Sequence, residues 1–527
     1  MRSPGKASRS SRSTPRSRSS SIGRSTDKSS TQEDTAKKNR EREQVDKRLA
    51  QSPVASTGSV TLADGRRLEY QTACEFLPVM QGGHSAERND PQAAVFTTAY
   101  TVAGVPPGSR PVCFAFNGGP GSASVWLHLG ALGPKRVVVP DDGSMPAPPY
   151  AVSDNPLTWL AHFDLVFIDP PHTGWSIAAG DEARKKLFSV DGDVAALTEV
   201  VRGWLTRHKR WGSKVYLAGE SYGTTRGAAL ADSLQDARVA LAGLVLVSCA
   251  IDLQSIVFAP RNDLPFALFL PAFAGVAQYH GRLKGALAAS PEAARAAAEA
   301  FVADDYLRAL HAGARLSASQ RRHIGKRLSE LTGLPAALVE EKNLRVSERT
   351  FFFDLLREEG RIVGRLDARA TGPMAASRTR EWEFDPGIEA IAPAYSMAAL
   401  AYFAEQLGLV TEDRYEMLSM DVNKGWNWNR RDGSGQEAKG NAFASTSDDL
   451  ARALRRNPHL RVLVASGRYD LGTPYSASDW SLAQLDAPAD VLKRVEHHYY
   501  DAGHMMYTRE NDLVKLERDL AAWLAAA

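Results

Sequence analysis

The segment Val215–Gly227, VYLAGESYGTTRG, contains the residue pattern best suited to chemistry. Gly219-Glu220-Ser221-Tyr222-Gly223 is a G-x-S-x-G array with an apolar run before it and helix-compatible text after it. In that setting a serine sits on a sharp strand-to-helix turn. The flanking glycines relieve steric conflict there, and the helix N-terminus lies beside any developing negative charge. A serine hydroxyl is a weak nucleophile and needs a base within hydrogen-bond reach. On such a turn the partners follow in the chain order Ser…Asp/Glu…His. Asp470 lies just past the apolar run Val462–Ala465, and His504 follows in Asp501-Ala502-Gly503-His504-Met505. Asp479, Asp486, Asp490 and Asp501 compete for the acid role, and His497 and His498 for the base role. The last two are adjacent in a strand-like stretch, RVEHHYY, so they point to opposite faces and are read as structural. A third component precedes these. The run Val112–Phe116 leads into Asn117-Gly118-Gly119-Pro120-Gly121, whose glycines leave backbone N–H groups open to a substrate. An oxyanion site then needs one N–H from this loop and one from Tyr222. No spacing of His, Cys and carboxylates suggests a metal site, and no cofactor is expected.

The elements that must position these residues can be read from the apolar runs. Val112–Phe116, Leu165–Ile168, Val215–Ala218, Leu244–Val247 and Val462–Ala465 are continuous rather than alternating, as in strands buried on both faces. Helical stretches such as Val190–His208 and Thr224–Leu234 separate several of them, which predicts a mostly parallel sheet with helices on both sides. Gly58–Tyr70, turning at Asp64-Gly65, and Ala94–Val105 read as antiparallel edge strands. From 252 to 458 Ala-rich helical text dominates. This is expected to be a mainly helical insertion over a core of 51–251 and 459–527. Its Trp-rich segment Gly425–Gly435 reads as a packed surface loop rather than a pocket border.

Composition bounds the alternatives. With 527 residues, one large domain with an insertion or two domains is expected. No run of eighteen apolar residues predicts a membrane span. Three cysteines make no disulfide framework. Residues 1–48 hold 14 basic and 6 acidic residues, a net of +8, whereas the remainder carries −5. The core therefore offers no electrostatic reason to bind nucleic acid. Residues 1–50 are too polar to form a core and are expected to be a disordered basic tail, either an unselected extension or an arm that contacts anions. The tail has no apolar stretch of a secretory signal. As written the sequence suggests a cytoplasmic protein, or a secreted or periplasmic one if the true start differs. The oligomeric state is left open.

Taken together these motifs resemble the serine carboxypeptidases, which have the α/β-hydrolase fold. Phe116–Ser124 (FNGGPGSAS) is similar to that family's substrate loop. Asn155-Pro156, Trp159 and Phe163–Ser176 resemble its next strand and turn, GESYG its nucleophile elbow, and Gly467–Asp470 and Gly503–Met505 its acid and base segments. The resemblance implies an α/β-hydrolase with a helical cap that releases C-terminal residues from peptides through an acyl-enzyme. Ser221 would be the nucleophile, His504 the base and Asp470 its orienter. Gly119 and Tyr222 would form the oxyanion hole, and Asn117, Gly118 and Glu220 would hold the terminal carboxylate of a peptide with a free C-terminus. A carboxyl such as Glu220 can donate to a carboxylate only when protonated, so that binding should strengthen in acid. Three departures stand out: Ser122 replaces a cysteine, Ala131 replaces a glutamate that would assist Glu220, and no secretory signal is seen. Ala131 keeps an esterase or acyltransferase in view, and the tail keeps in view a non-catalytic binding protein of the same fold.

Overall fold

The computed structural model describes residues 40–80, 90–106, 108–430 and 443–526. Fourteen strands are found among them: β1 (Val54–Thr61), β2 (Arg67–Met80), β3 (Pro91–Val102), β4 (Val112–Phe116), β5 (Lys135–Val137), β6 (Val152–Asp154), β7 (Asp164–Ile168), β8 (Ile177–Ala178), β9 (Val215–Glu220), β10 (Leu241–Val247), β11 (Arg361–Val363), β12 (Thr371–Pro373), β13 (Arg461–Gly467) and β14 (Val495–Tyr500). Ten form one sheet in the order β1-β2-β3-β7-β4-β9-β10-β13-β14, with β8 beside β3. From β7 to β14 every neighbouring pair is parallel, and β1, β2, β3 and β7 pair antiparallel. The antiparallel edge and the parallel centre are those expected from the sequence. β5 with β6 and β11 with β12 form separate two-stranded hairpins.

The parallel strands are buried on both faces, as their unbroken apolar runs require: all five residues of β4 and all six of β9 are buried. Apolar cores lie on the two sides of the sheet. Helix Val190–Arg207 begins at Ser189, whose side chain accepts the Gly192 N–H at 3.1 Å. Helix Tyr222–Asp236 follows β9 without a linker except Ser221.

Between β10 and β13 the chain is mainly helical, but it is not one separate layer. Helices Leu270–Tyr279, Pro291–Phe301 and Ala318–Thr332 build their own apolar cluster, which also takes in Tyr469, Leu471 and Tyr475 from the segment after β13. Helix Ala392–Glu405 instead buries Tyr395, Tyr402 and Phe403 in the core of one sheet face. Helix Ser447–Arg456 buries Leu450 and Leu454 in the core of the other, against the sheet helices. Apolar spacing marks these segments as helices but does not say which core receives them.

Most of the expected disordered tail lies outside the described residues. Residues 40–49 of it are a correction: they are helical, Val45 is fully buried, and Arg48 pairs with Asp413 at 3.0 Å. One apolar side chain and long-range ion pairs are enough to dock a short helix that composition alone reads as polar.

Candidate active site

The chemically capable side chains gather at the carboxyl ends of the parallel strands, where an open α/β sheet leaves its crevice. β9 delivers Ser221. Its φ of 60° and ψ of −129° are a strained conformation for a residue with a Cβ. The turn is held by close packing: a Cβ on Gly219 would overlap the Gly223 carbonyl, and one on Gly118 would overlap the Tyr222 amide. Ser221 N–H donates to the Val247 carbonyl of β10 at 2.9 Å, which fixes the elbow to its neighbouring strand.

Asp470 and His504 come from the loops after β13 and β14. Asp470 is completely buried. Its Oδ1 accepts N–H bonds from Gly472 at 2.7 Å and Thr473 at 3.0 Å, and its Oδ2 accepts the Thr473 hydroxyl at 2.6 Å. His504 Nδ1 donates to the same Oδ2 at 2.7 Å. With Nδ1 carrying the proton, Nε2 is left with its lone pair, as a general base requires. Burial would raise the Asp470 carboxyl, but the His504 charge and the surrounding donors outweigh it and hold the group below the ordinary range. Burial would lower the imidazole, but Asp470 outweighs that and raises it above its ordinary value.

A cavity of about 450 Å³ opens at Ser221. Gly119, Tyr222, Gly472 and Thr473 line it, and Thr473 Oγ1 lies 3.2 Å from His504 Nδ1. Among the described residues no hydrogen bond joins the Ser221 hydroxyl to His504; such bonds are commonly loose before substrate arrives. Tyr222 is the first residue of its helix, so its N–H has no partner within that helix and is free to donate into the cavity. Trp428 also lines the cavity, and its ring lies 5.7 Å from that of Tyr222. This corrects the reading of the Trp-rich segment as a packed surface loop; residues 431–435 of it lie outside the described residues.

Asn117 and Glu220 meet beside the elbow but do not line the cavity. Asn117 Nδ2 donates to Glu220 Oε1 at 2.9 Å, and the Tyr507 hydroxyl donates to Oε2 at 2.6 Å. Asn117 Oδ1 accepts the Leu127 N–H at 3.0 Å. Burial pushes the Glu220 carboxyl up to about 7, against the opposing pull of His504, Tyr507 and Asn117. Ala131, where the resemblance implies a glutamate, is fully buried. Tyr507 packs over neighbouring Gly130, so a phenol rather than a second carboxyl faces Glu220.

The competing residues separate by burial. His497 stands between Asp479 and Ser466, at 2.8 Å from each, an array with the distances of a nucleophile relay. Ser466, however, is fully buried in the sheet, with no access for substrate. His498 turns the other way, towards Glu496 and Asp519.

Three supports carried no recognisable sequence signal. The Arg226 guanidinium donates to the Asn117 carbonyl at 2.6 Å and to Asp193 at 2.7 Å, and lies over the Phe116 and Tyr222 rings. It thereby ties the glycine loop to the start of the helix. Leu366, within the insertion, accepts the His504 N–H at 2.6 Å, and neighbouring Arg365 accepts the Leu471 N–H at 3.0 Å. Thr473 supplies two of the bonds on Asp470. The three cysteines are buried and unpaired. Among the described residues no group of three or more His, Cys, Asp or Glu could hold a metal ion, and no helix is long and apolar enough to cross a membrane.

The sheet order, the elbow and the residues around it define an α/β-hydrolase. Within it, residues 80–257 match the family model of the serine carboxypeptidases, so the resemblance read from the motifs is borne out over the segment that carries the glycine loop and Ser221. A prohormone-processing carboxypeptidase from Saccharomyces cerevisiae has a similar structure, with 14% identity, a TM-score of 0.52, and coverage of 86% of this chain and 91% of the yeast chain. A proline iminopeptidase from Mycobacterium smegmatis aligns with 12% identity, a TM-score of 0.38, and coverage of 86% of this chain and 100% of the other. No curated protein matches the chain at a significant level. The family match and the fold support a peptidase or related hydrolase.

Proposed function

We propose that this chain is a serine-type carboxypeptidase that releases C-terminal residues from peptides. His504 Nε2 takes the proton of Ser221 as the hydroxyl attacks the scissile carbonyl, and Asp470 holds the imidazole and stabilises its charged form. The N–H groups of Gly119 and Tyr222 receive the oxyanion; each such donor contributes about a hundredfold or more in rate. The leaving amine takes the proton from His504, and water then releases the acyl group by the reverse roles. The observation that carries this reading is the fully buried Asp470 bonded to His504 Nδ1, with strained Ser221 lining the adjoining cavity. The resemblance assigns the terminal carboxylate to Asn117, Gly118 and Glu220, and the Asn117–Glu220 contact beside Ser221 supports that assignment.

A second reading, an esterase or acyltransferase on the same three side chains, is favoured by one feature. Position 131 offers no carboxyl, and both Glu220 oxygens already accept hydrogen bonds from within the protein. Release of amino acids from peptides with free and amidated C-termini separates the two. A strong preference for the free acid supports the carboxypeptidase, and equal turnover of both overturns it.

A further inference from the structure

The cavity at Ser221 is walled mostly by apolar groups: Leu253, Ile256, Val257, Trp428 and Phe443. Among the described residues one charged side chain lines it, Arg365. Its guanidinium carbon lies 3.5 Å from where a Cβ on Gly472 would be, so the charge stands over the turn that holds Asp470. The backbone at Arg365 is fixed from three sides. Its N–H donates to Asp385 Oδ1 at 2.9 Å, its carbonyl accepts from Leu471 at 3.0 Å, and the next residue carries the His504 amide. Among the described residues the guanidinium makes no hydrogen bond, and 44% of the side chain is open to solvent. Its ion pair among them is with Glu348 at 4.0 Å, too far for a hydrogen bond; burial holds the Glu348 carboxyl above its ordinary range, and Asp385 is a further charged neighbour.

We infer that Arg365 is a specificity-determining residue that receives a carboxylate of the substrate inside the Ser221 cavity. An arginine offers a planar fork of donors that matches a carboxylate with two parallel bonds. Beside a mostly apolar cavity such a fork rewards an anionic ligand, whereas a neutral one leaves it hydrated, because the side chain is 44% exposed. The carboxylate is either the C-terminal group or an acidic side chain on the residue before the scissile bond. Both present the same chemistry to the fork. The inference rests on the proposed acyl-transfer chemistry at Ser221.

The test uses four N-acylated dipeptides, with Glu or Gln before the scissile bond and a free or amidated C-terminus, turned over by the full chain. The wild type is expected to favour one carboxylate-bearing member. In Arg365→Gln that preference should fall about 30-fold, mainly through KM, with partial recovery in Arg365→Lys. Collapse of the acid-to-amide ratio assigns the C-terminal carboxylate; collapse of the Glu-to-Gln ratio assigns the side chain. If both ratios survive in Arg365→Gln, the inference is overturned. Labelling of Ser221 by a fluorophosphonate, run on all three proteins, reports a folded site separately. A wild type that takes no label overturns the acyl-transfer reading itself, whereas labelled protein with unchanged ratios overturns only the role of Arg365.

Discussion

Ser221 is held on a left-handed backbone beside a cavity, with no other task visible in its surroundings. Its replacement by Ala should therefore lower kcat by about 10⁴-fold or more and abolish fluorophosphonate labelling, while leaving the melting temperature nearly unchanged. Asp470→Asn should cost about 10⁴-fold, because an amide at this position favours the wrong imidazole tautomer. Retention of nearly full rate by that variant would move the orienting role to another acid. His504 must be neutral to accept a proton, and Asp470 raises it above its ordinary value. The kcat/KM for a neutral ester should consequently rise with pH through a midpoint above 6.5, and Asp470→Asn should shift that midpoint down. These residues were legible because a strained turn, a late acid and a late histidine occur in a fixed order. Thr473, Tyr507 and Arg365 were not, because each acts through the three-dimensional closeness of segments far apart in the chain.

At the scale of elements, the strands of the sheet were legible because burial on both faces leaves continuous apolar runs. The hairpin of β11 and β12 was not, since three-residue strands show no period to read. The join between the glycine loop and helix Tyr222–Asp236 also depended on an unrecognised pair. Arg226 and Asp193 are both almost fully buried. Arg226→Met would leave the Asp193 carboxylate without its cation and should destabilise the protein by about 3–5 kcal/mol in denaturant unfolding. The double variant Arg226→Met with Asp193→Leu should regain much of that stability while activity stays low, because the Asn117 carbonyl and the Tyr222 ring lose their shared anchor. Full activity in the double variant would show the anchor to be irrelevant to the site.

For the whole molecule, Glu220 links folding to pH. Its carboxyl titrates near 4.5 when unfolded and at about 7 when folded, so the native state holds the proton longer. Stability is complete below the lower value and declines as pH rises between the two, at about 1.4 kcal/mol per pH unit. Glu220→Gln should remove this decline, so thermal unfolding of the variant and the wild type should diverge above pH 5 and stay apart above pH 7. Parallel melting curves across that range would show that the carboxyl is not held protonated. The helical character of the insertion was legible from its Ala-rich text, but its ties to the sheet were not, because backbone carbonyls such as that of Leu366 leave no mark on side-chain patterns. Those ties have an evolutionary consequence. Grafting residues 252–458 from a distant relative would exchange more than the helices of this segment, because it would also replace the brackets on which the acid and base loops hang. Changes of selectivity in this lineage should therefore accumulate by point substitution within the insertion rather than by wholesale trade of the segment.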